Sequence, residues 1–214
     1  MQPTKPSAKP LVPRTPSLRA MTEAVQDCRG CELYKRATQA VFGEGPSKAE
    51  VMFVGEQPGD QEDKAGHPFV GPAGRTLDKA MAEAGIDRSK AYVTNAVKHF
   101  KFEERGKRRI HKKPLDSEVT ACRPWLEAEI EIVKPRLLVA LGATAAAALG
   151  GKAVKLTQQR GQFLAHPKAE ALMLTIHPSY LFRLRDPEGK RLEYERFVKD
   201  LSGIGAYLKG TSGK

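Results

Sequence analysis

The chain has 214 residues, of which 40% are hydrophobic, and its mean hydropathy is −0.46. This length suits one α/β domain with a substantial core. No apolar run approaches the roughly 18 residues of a membrane span, and the N-terminus lacks a hydrophobic signal core. These features argue against a membrane partner, and we expect a cytoplasmic location.

Basic residues outnumber acidic ones by a wide margin. There are 36 Lys and Arg against 25 Asp and Glu, which gives a net charge of +11 and an isoelectric point near 9.6. A basic surface attracts polyanions and raises the rate at which a protein meets nucleic acid. The charge therefore favours an anionic partner, although a solvated basic surface without a partner would give the same composition.

The N-terminal segment differs in composition from the rest of the chain. Residues 1–17 contain five prolines and no acidic residue. Proline stiffens and extends such a segment, and little apolar content is present to fold around. We predict a disordered basic tail over residues 1–17, followed by a single domain over residues 18–210.

Short apolar runs alternate with helical patterns along the rest of the chain. The runs have the length and continuous hydrophobicity of strands buried on both faces, and they cover Val51–Val54, Tyr92–Val97, Leu137–Leu141 and Leu172–Ile176. Helices are predicted at Ala73–Ala84, Ser117–Val133, Thr144–Leu149 and Lys190–Leu208. This alternation predicts an α/β fold, a three-layer αβα sandwich with a central, mostly parallel, four-stranded sheet.

Polar residues cluster where three of these runs end. Val51–Val54 leads into the sequence GEQPG with Glu56 and Gln57, the second run contains Asn95, and the last run leads into His177. In an open parallel sheet, ligands bind beyond the carboxyl ends of the strands. The sequence thus predicts a ligand cleft at this edge, although a segment such as GEQPG is usually only a tight turn.

Three cysteines indicate a metal site more than a disulfide framework. Cys28 and Cys31 form a C-x2-C pair after an N-terminal helical pattern, and Cys122 lies on the helix predicted from residue 117. Three thiols in a chain without an export signal cannot all pair with one another. Such a set needs a fourth ligand, for which His99 is a candidate. Spacing alone does not separate zinc from iron–sulfur or from inert thiols.

The most unusual segment is the basic stretch at residues 98–113, KHFKFEERGKRRIHKK. Five of the seven residues at 107–113 are Lys or Arg, Gly106 interrupts any helix, and His111 lies among the charges. A cationic loop beside a cleft can grip a nucleic-acid backbone while nearby aromatic residues stack on bases. A solvated basic loop with an incidental histidine is the alternative.

Five motifs, taken in order, resemble those of the iron–sulfur uracil-DNA glycosylases. They are GEQPG at residues 55–59, GHPFVGPAG at 66–74, TNAVK at 94–98, CRPWL at 122–126 and HPSYL at 177–181. Each motif is weak alone, and their shared order from Cys28 to Arg183 makes the resemblance specific. It implies a glycosylase that removes uracil from DNA.

Three features distinguish this chain from the thermophilic family 4 members of that group. His99 stands where the third cluster cysteine is expected, Gln57 stands where those members have alanine, and the basic segment 106–111 is an insertion. All three features resemble the UdgX subgroup, whose members form a covalent adduct with uracil-containing DNA through the histidine of that loop. The resemblance implies that His111 is a nucleophile and that the protein traps itself on its substrate.

The resemblance also implies roles for residues around the cleft. Uracil would be held by the stacking ring of Phe69, the amide of Asn95 and the backbone of Gly55 and Gly59. Uracil must leave the base stack to reach such a pocket. His177 would donate to a uracil oxygen as negative charge builds on the departing base.

Two further residues complete the implied catalytic group with His111. Glu56 would take up the second ring proton of His111, and Gln57 would orient the pair or exclude water. The implied DNA contacts are Lys107, Arg108, Arg109, Lys112 and Ser179. The implied ligands of a [4Fe-4S] cluster are Cys28, Cys31, His99 and Cys122.

The implied partner is uracil-containing DNA, with single strands favoured, bound by a monomer. Two alternatives stay open. One is a conventional glycosylase in which Glu56 or Gln57 positions water, and the other is a non-catalytic, metal-bearing nucleic-acid-binding module. Release of free uracil without a bond that survives denaturation identifies the conventional enzyme, whereas such a bond identifies the self-trapping one.

Overall fold

The computed structural model describes residues 6–14, 17–151 and 153–211. Its strands are β1 (Val51–Gly55), β2 (Ala91–Asn95), β3 (Phe102–Arg105), β4 (Arg108–His111), β5 (Leu137–Leu141), β6 (Phe163–His166) and β7 (Ala169–Thr175). Its α-helices are α1 (Leu18–Ala24), α2 (Asp60–Ala65), α3 (Pro72–Glu83), α4 (Asp116–Val133), α5 (Ala143–Gly150), α6 (Leu156–Gln159) and α7 (Pro187–Thr211). None of these helices has the length and apolar character needed to cross a membrane.

The main sheet has five strands in the order β2-β1-β5-β7-β6. The first four are parallel, and β6 pairs antiparallel with β7. The predicted α/β class and mostly parallel sheet are confirmed, but the predicted number of four strands is wrong. The fifth strand, β6, lies at an edge and none of its residues is fully buried. It therefore lacks the continuous apolar run that reveals a strand covered on both faces.

Helices cover both faces of this sheet, which confirms the three layers. On one face, alternate strand residues such as Phe53 pack with Leu77 of α3 and Phe197 of α7. On the other face, residues such as Met52 pack with Leu126 of α4 and with α5. Successive side chains of a strand point to opposite faces, so each parallel strand supplies apolar residues to both clusters.

A third cluster joins the N-terminal part of the chain to α4. It includes Met21 of α1, Cys28, Cys122 and Trp125. Ala8 belongs to it, and the Ala8 N–H donates to the carbonyl of Ala121 at 2.8 Å. Of the predicted tail, residues 1–5 and 15–16 lie outside the described residues.

The carboxyl ends of the four parallel strands meet at one edge of the sheet. The segment after β1, Asn95 at the end of β2, the segment after β5 and the segment after β7 all come together there. The antiparallel hairpin β3–β4 follows β2 and ends in His111. Segment 98–113, predicted as a loop, thus contains a short two-stranded sheet that places His111 near this edge.

Candidate active site

A cleft of about 690 Å³ opens at the carboxyl ends of the parallel strands. The residues of the predicted site that line it are Glu56, Gln57, Gly59, Phe69, Asn95, His111, His177 and Ser179. These residues come from five separated parts of the chain. The structure therefore brings together most of the group that the sequence assigns to catalysis and base binding.

Gly55 borders the narrow part of the cleft between Phe69 and Asn95. A Cβ atom at Gly55 would lie 2.3 Å from Asn95 Oδ1 and 2.8 Å from Phe69 Cζ. Phe69 has a positive φ of 58°, and a Cβ on Gly74 would lie 1.6 Å from the Phe69 carbonyl oxygen. The absence of side chains at 55 and 74 thus leaves room for the Asn95 amide, the Phe69 ring and the Phe69 main chain, and both Asn95 and Phe69 line the cleft.

Glu62 links the GEQPG turn to the loop that carries Phe69, and the sequence analysis did not identify it. Its carboxylate accepts hydrogen bonds from the Gly71 N–H at 2.7 Å and from the Gly59 N–H at 3.1 Å. Gly59 ends the GEQPG turn, and Gly71 follows the Phe69 loop. The signal that could have revealed it is a glutamate three residues after the residue that precedes α2, a helix-capping pattern.

His177 is oriented by the residue two positions further along the chain. Its Nδ1 accepts a hydrogen bond from the Ser179 N–H at 3.2 Å and lies 2.8 Å from Ser179 Oγ. Burial lowers the pKa of His177 to about 4, with His111 and Arg183 acting in the same direction. A neutral ring whose Nδ1 accepts must carry its proton on Nε2. His177 is thus a neutral N–H donor, and its ring stacks on Phe69 with centroids 6.4 Å apart.

Gln57 connects His111 to the backbone on both sides of the hairpin. Its Oε1 accepts from the Lys101 N–H at 3.0 Å, while its Nε2 donates to the carbonyls of Lys112 at 2.9 Å and Lys101 at 3.2 Å. These three contacts fix which end of the amide faces which way. His111 Nε2 lies 2.9 Å from Gln57 Nε2. The amide has two hydrogens for these three neighbours, and an amide nitrogen cannot accept. An unprotonated His111 Nε2 is therefore the tautomer that avoids two N–H groups facing each other.

Glu56 lies on the same side of the His111 ring. Its Oε1 is 3.5 Å from His111 Nε2, and its Oε2 accepts a short hydrogen bond from the Thr144 hydroxyl. The sequence interpretation placed Glu56 on the second ring nitrogen. The structure instead places it beside the nitrogen that Gln57 contacts. Thr144, at the start of α5, was missed because its partner is far away in sequence.

The charge state of His111 is set by its position in the cleft. Partial burial lowers the pKa of His111, the nearby Glu56 opposes this, and Arg183 lowers it further. Burial and Arg183, which also lines the cleft, are thus the two influences that lower the pKa of His111.

Arg109 is engaged within the protein. Its guanidinium donates to Asp60 Oδ1 at 2.5 Å and to Asp63 Oδ2 at 2.6 Å. It also lies over the rings of Phe100 and Phe102, at 5.4 and 4.9 Å from their centroids. Both rings are buried, so the structure gives them a packing role in place of the base stacking expected from the sequence. Arg109 fastens the hairpin to α2.

The other predicted DNA-contacting residues differ in whether another side chain of the protein already engages them. Lys112 pairs with Glu103 at 2.5 Å, and Ser179 contacts His177. Lys107 and Arg108 are exposed at the tip of the hairpin, and neither has an ion pair within the described part of the chain. Two basic residues that were not singled out, Lys113 and Arg183, line the cleft.

The three cysteines gather between the N-terminal segment and α4. Cys28 Sγ accepts from the Trp125 indole N–H at 3.1 Å, and Cys122 Sγ accepts from the Lys98 N–H at 3.2 Å. Burial raises the pKa of Cys122 to about 12, with Cys28 and Cys31 adding to the rise. His99 lies beside Cys28, and burial lowers its pKa to about 4.

These four residues differ from the ligand set of a single ion. Within residues 6–14, 17–151 and 153–211, no three His, Cys, Asp or Glu side chains are arranged to hold one metal ion. A cluster binds each ligand through a different iron, so its ligands stand further apart. Three thiols, of which Cys28 and Cys122 are buried and accept N–H bonds, and a neutral imidazole fit a cluster in their chemistry.

Comparisons with known proteins agree with this geometry. Residues 42–202 match the model of the uracil DNA glycosylase superfamily. A type-4 uracil-DNA glycosylase of Thermotoga maritima is 39% identical over 87% of this chain and 94% of its own length. A type-4 uracil-DNA glycosylase of Pyrobaculum aerophilum is 38% identical over 86% of this chain and 91% of its own length. One of Sulfurisphaera tokodaii is 36% identical over 86% of this chain and 83% of its own length. The chain belongs to the uracil DNA glycosylase superfamily.

Proposed function

We propose that this protein excises uracil from DNA as a UdgX-type enzyme and then bonds covalently to the exposed sugar through His111. The observation that carries the proposal is the 2.9 Å contact between Gln57 Nε2 and His111 Nε2. It indicates an unprotonated Nε2 on a histidine that lines the same cleft as Phe69, Asn95 and His177. The wider activity, uracil excision in DNA repair, follows the family.

The first step is departure of the base. Uracil enters the space bordered by Phe69 and Gly55, where the Asn95 side chain can both donate to and accept from one edge of the ring. The bond between sugar C1′ and uracil N1 breaks, and its electron pair leaves with the base. The neutral His177 donates its Nε2 proton in a hydrogen bond to a uracil oxygen and stabilises this developing charge. The released uracil takes a proton from solvent.

The second step is capture of the sugar. The His111 Nε2 lone pair forms a bond to the electron-poor C1′, and the ring becomes a cation. The Glu56 carboxylate, 3.5 Å from Nε2, stabilises the positive charge first on the sugar and then on the ring. The proton on Nδ1 can then pass to solvent.

Conventional turnover needs a carboxylate that positions water. Here one Glu56 oxygen accepts from Thr144 and the other faces His111. Gln57 is likewise committed to the backbone of Lys101 and Lys112. Both side chains that could orient water are therefore directed to the histidine or its support, which favours trapping over turnover.

We further propose that Cys28, Cys31, His99 and Cys122 hold a [4Fe-4S] cluster. The cluster would cross-link the N-terminal segment to α4 and would supply no redox step, because glycosyl transfer moves no electrons. A brown protein with broad visible absorption is expected. A colourless protein that contains zinc would contradict this assignment.

For DNA binding, we propose that Lys107 and Arg108 contact the phosphate backbone near the cleft, together with Lys113 and Arg183. Single-stranded DNA is the expected preference, since a base that is already unpaired costs less to extrude. We also propose that the protein acts as a monomer.

A denaturing gel tests the proposed function. The protein is mixed with a uracil-containing oligonucleotide, boiled in denaturant and examined for a shifted band, with a thymine-containing oligonucleotide as control. A band that requires uracil supports covalent trapping. Free uracil without a band would show conventional turnover, and the absence of both would show a binding module.

The variant Gly55→Ala is expected to lose uracil recognition. Its methyl group would lie 2.3 Å from Asn95 Oδ1 and 2.8 Å from Phe69 Cζ, inside the base-binding space. We expect the rate of adduct formation to fall by about a hundredfold or more. Gly205→Ala in α7 is the control, since a Cβ there meets nothing within 4 Å. A wild-type rate for Gly55→Ala would show that uracil binds elsewhere.

The pH dependence of adduct formation should follow the neutral form of His111. Its pKa is lowered from the usual 6.5, mainly by partial burial. The reactive lone pair is therefore present at neutral and higher pH and is lost as the pH falls through the lowered pKa. We expect a constant rate above pH 7 and a decline centred below 6.5, measured by quenched time courses. A decline centred above 6.5 would contradict a depressed pKa.

A further inference from the structure

A fully buried ion pair lies behind the end of β2, outside the cleft. Lys98 and Glu129 are both 0% exposed, and Lys98 Nζ lies 2.5 Å from Glu129 Oε2. The same ammonium donates to Thr94 Oγ1 at 2.7 Å and to the main-chain oxygen of Asn95 at 2.8 Å. Each of its three hydrogens therefore has an acceptor.

The carboxylate is equally well bonded. Glu129 Oε1 accepts from the Gly43 N–H at 3.0 Å, the Tyr92 hydroxyl at 3.2 Å and the Thr94 hydroxyl at 2.8 Å. Removing two charges from water is costly, and apolar residues of similar volume often stabilise a core as well or better. Stability is thus a weak reason for the pair, and its contacts indicate a more specific role.

The most informative contact is the one to Asn95. β2 is an edge strand, so one side of its main chain has no neighbouring strand. On that side the main chain of Val93 forms two hydrogen bonds with the main chain of Glu44, one in each direction and each 2.8 Å long. Asn95 lies two residues further on, so its carbonyl points to the same side, where the Lys98 ammonium bonds it instead. β1 holds the other side of β2.

We propose that the Lys98–Glu129 pair positions Asn95 for uracil recognition. Glu129 on α4 fixes the ammonium, the ammonium fixes the main chain of Asn95, and the Asn95 side chain thereby keeps its place beside Gly55. The inference rests on the proposed function, in which Asn95 contacts uracil. It makes Lys98 and Glu129 positioning residues that touch neither the base nor the DNA.

The test is the double variant Lys98→Met/Glu129→Gln. It removes both charges together, and the glutamine oxygen can still accept from Gly43, Tyr92 and Thr94. We expect the half-saturating concentration of uracil-containing oligonucleotide for adduct formation to rise about tenfold. The dissociation constant for the same sequence with a tetrahydrofuran abasic analogue should not change, because this oligonucleotide has no base for Asn95 to contact.

Two further variants separate positioning from general loosening of the core. Glu129→Gln alone is milder and should shift the same quantity in the same direction. Tyr92→Phe removes one hydrogen bond to Glu129 but leaves the Lys98–Asn95 contact, and should leave both quantities unchanged. Thermal unfolding checks that each variant is folded.

Three results would overturn the proposal: wild-type half-saturation in a folded double variant, equal weakening of both oligonucleotides, or an equal shift in Tyr92→Phe. A failure of the proposed function looks different. In that case the wild-type protein itself would form no adduct with uracil-containing DNA, whatever the variants do.

Discussion

The variant His111→Ala is expected to form no adduct that survives denaturation. Alanine has no lone pair to bond to C1′, so trapping should fall by at least about a thousandfold, as when an enzyme loses its nucleophile. The space vacated by the ring lies beside Glu56, and water that enters it can attack the same carbon. We therefore expect attack by water to replace trapping, measured as free uracil without an adduct and as alkali-sensitive abasic DNA.

His166→Ala provides the matched control for this variant. His166 lies in β6, where its Nε2 is 3.2 Å from the carbonyl oxygen of Leu149, and it does not line the cleft. Its loss should leave the adduct intact. If His111→Ala still cross-links to uracil-containing DNA, the nucleophile is another residue and the lone pair at Nε2 has a different purpose.

The parts of the fold that the sequence predicted are those buried on both faces. Leu137–Leu141 was predicted with the bounds that the structure shows, because a central parallel strand is apolar at every position. β6 and the hairpin β3–β4 were missed. Their residues are partly exposed or charged, so apolar periodicity does not distinguish them from loops.

The candidate site divides in the same way. Glu56, Asn95 and His177 could be predicted because they lie at strand ends, where topology alone places a cleft. Thr144 and Glu129 could not, since their importance comes from partners 88 and 86 residues away. Arg109 was assigned to DNA binding for a related reason. A basic residue in a basic segment suggests contact with DNA as long as its carboxylate partners within the protein are unknown.

The variant Arg109→Leu is expected to slow adduct formation at saturating DNA by about a hundredfold. Its guanidinium bonds Asp60 and Asp63 of α2 and packs on the rings of Phe100 and Phe102. Without it the hairpin has fewer contacts to hold His111, and a displacement of about 1 Å at a reacting atom is enough for such a loss. Asp63, which is fully buried, keeps its bonds from Thr38, so the protein should still fold.

Arg105→Leu separates this effect from a simple loss of charge. Arg105 lies on the same hairpin and loses the same charge, but it is exposed and its ion pair with Glu103 is 3.8 Å long. Its rate at saturating DNA should stay near that of the wild type. If Arg109→Leu instead raises the half-saturating DNA concentration and leaves the saturated rate unchanged, Arg109 contacts phosphate, as the sequence first indicated. A reduced saturated rate would instead mean that Arg109 keeps His111 in the cleft. The basic segment would then have two functions, because Lys107 and Arg108 remain exposed and able to contact DNA.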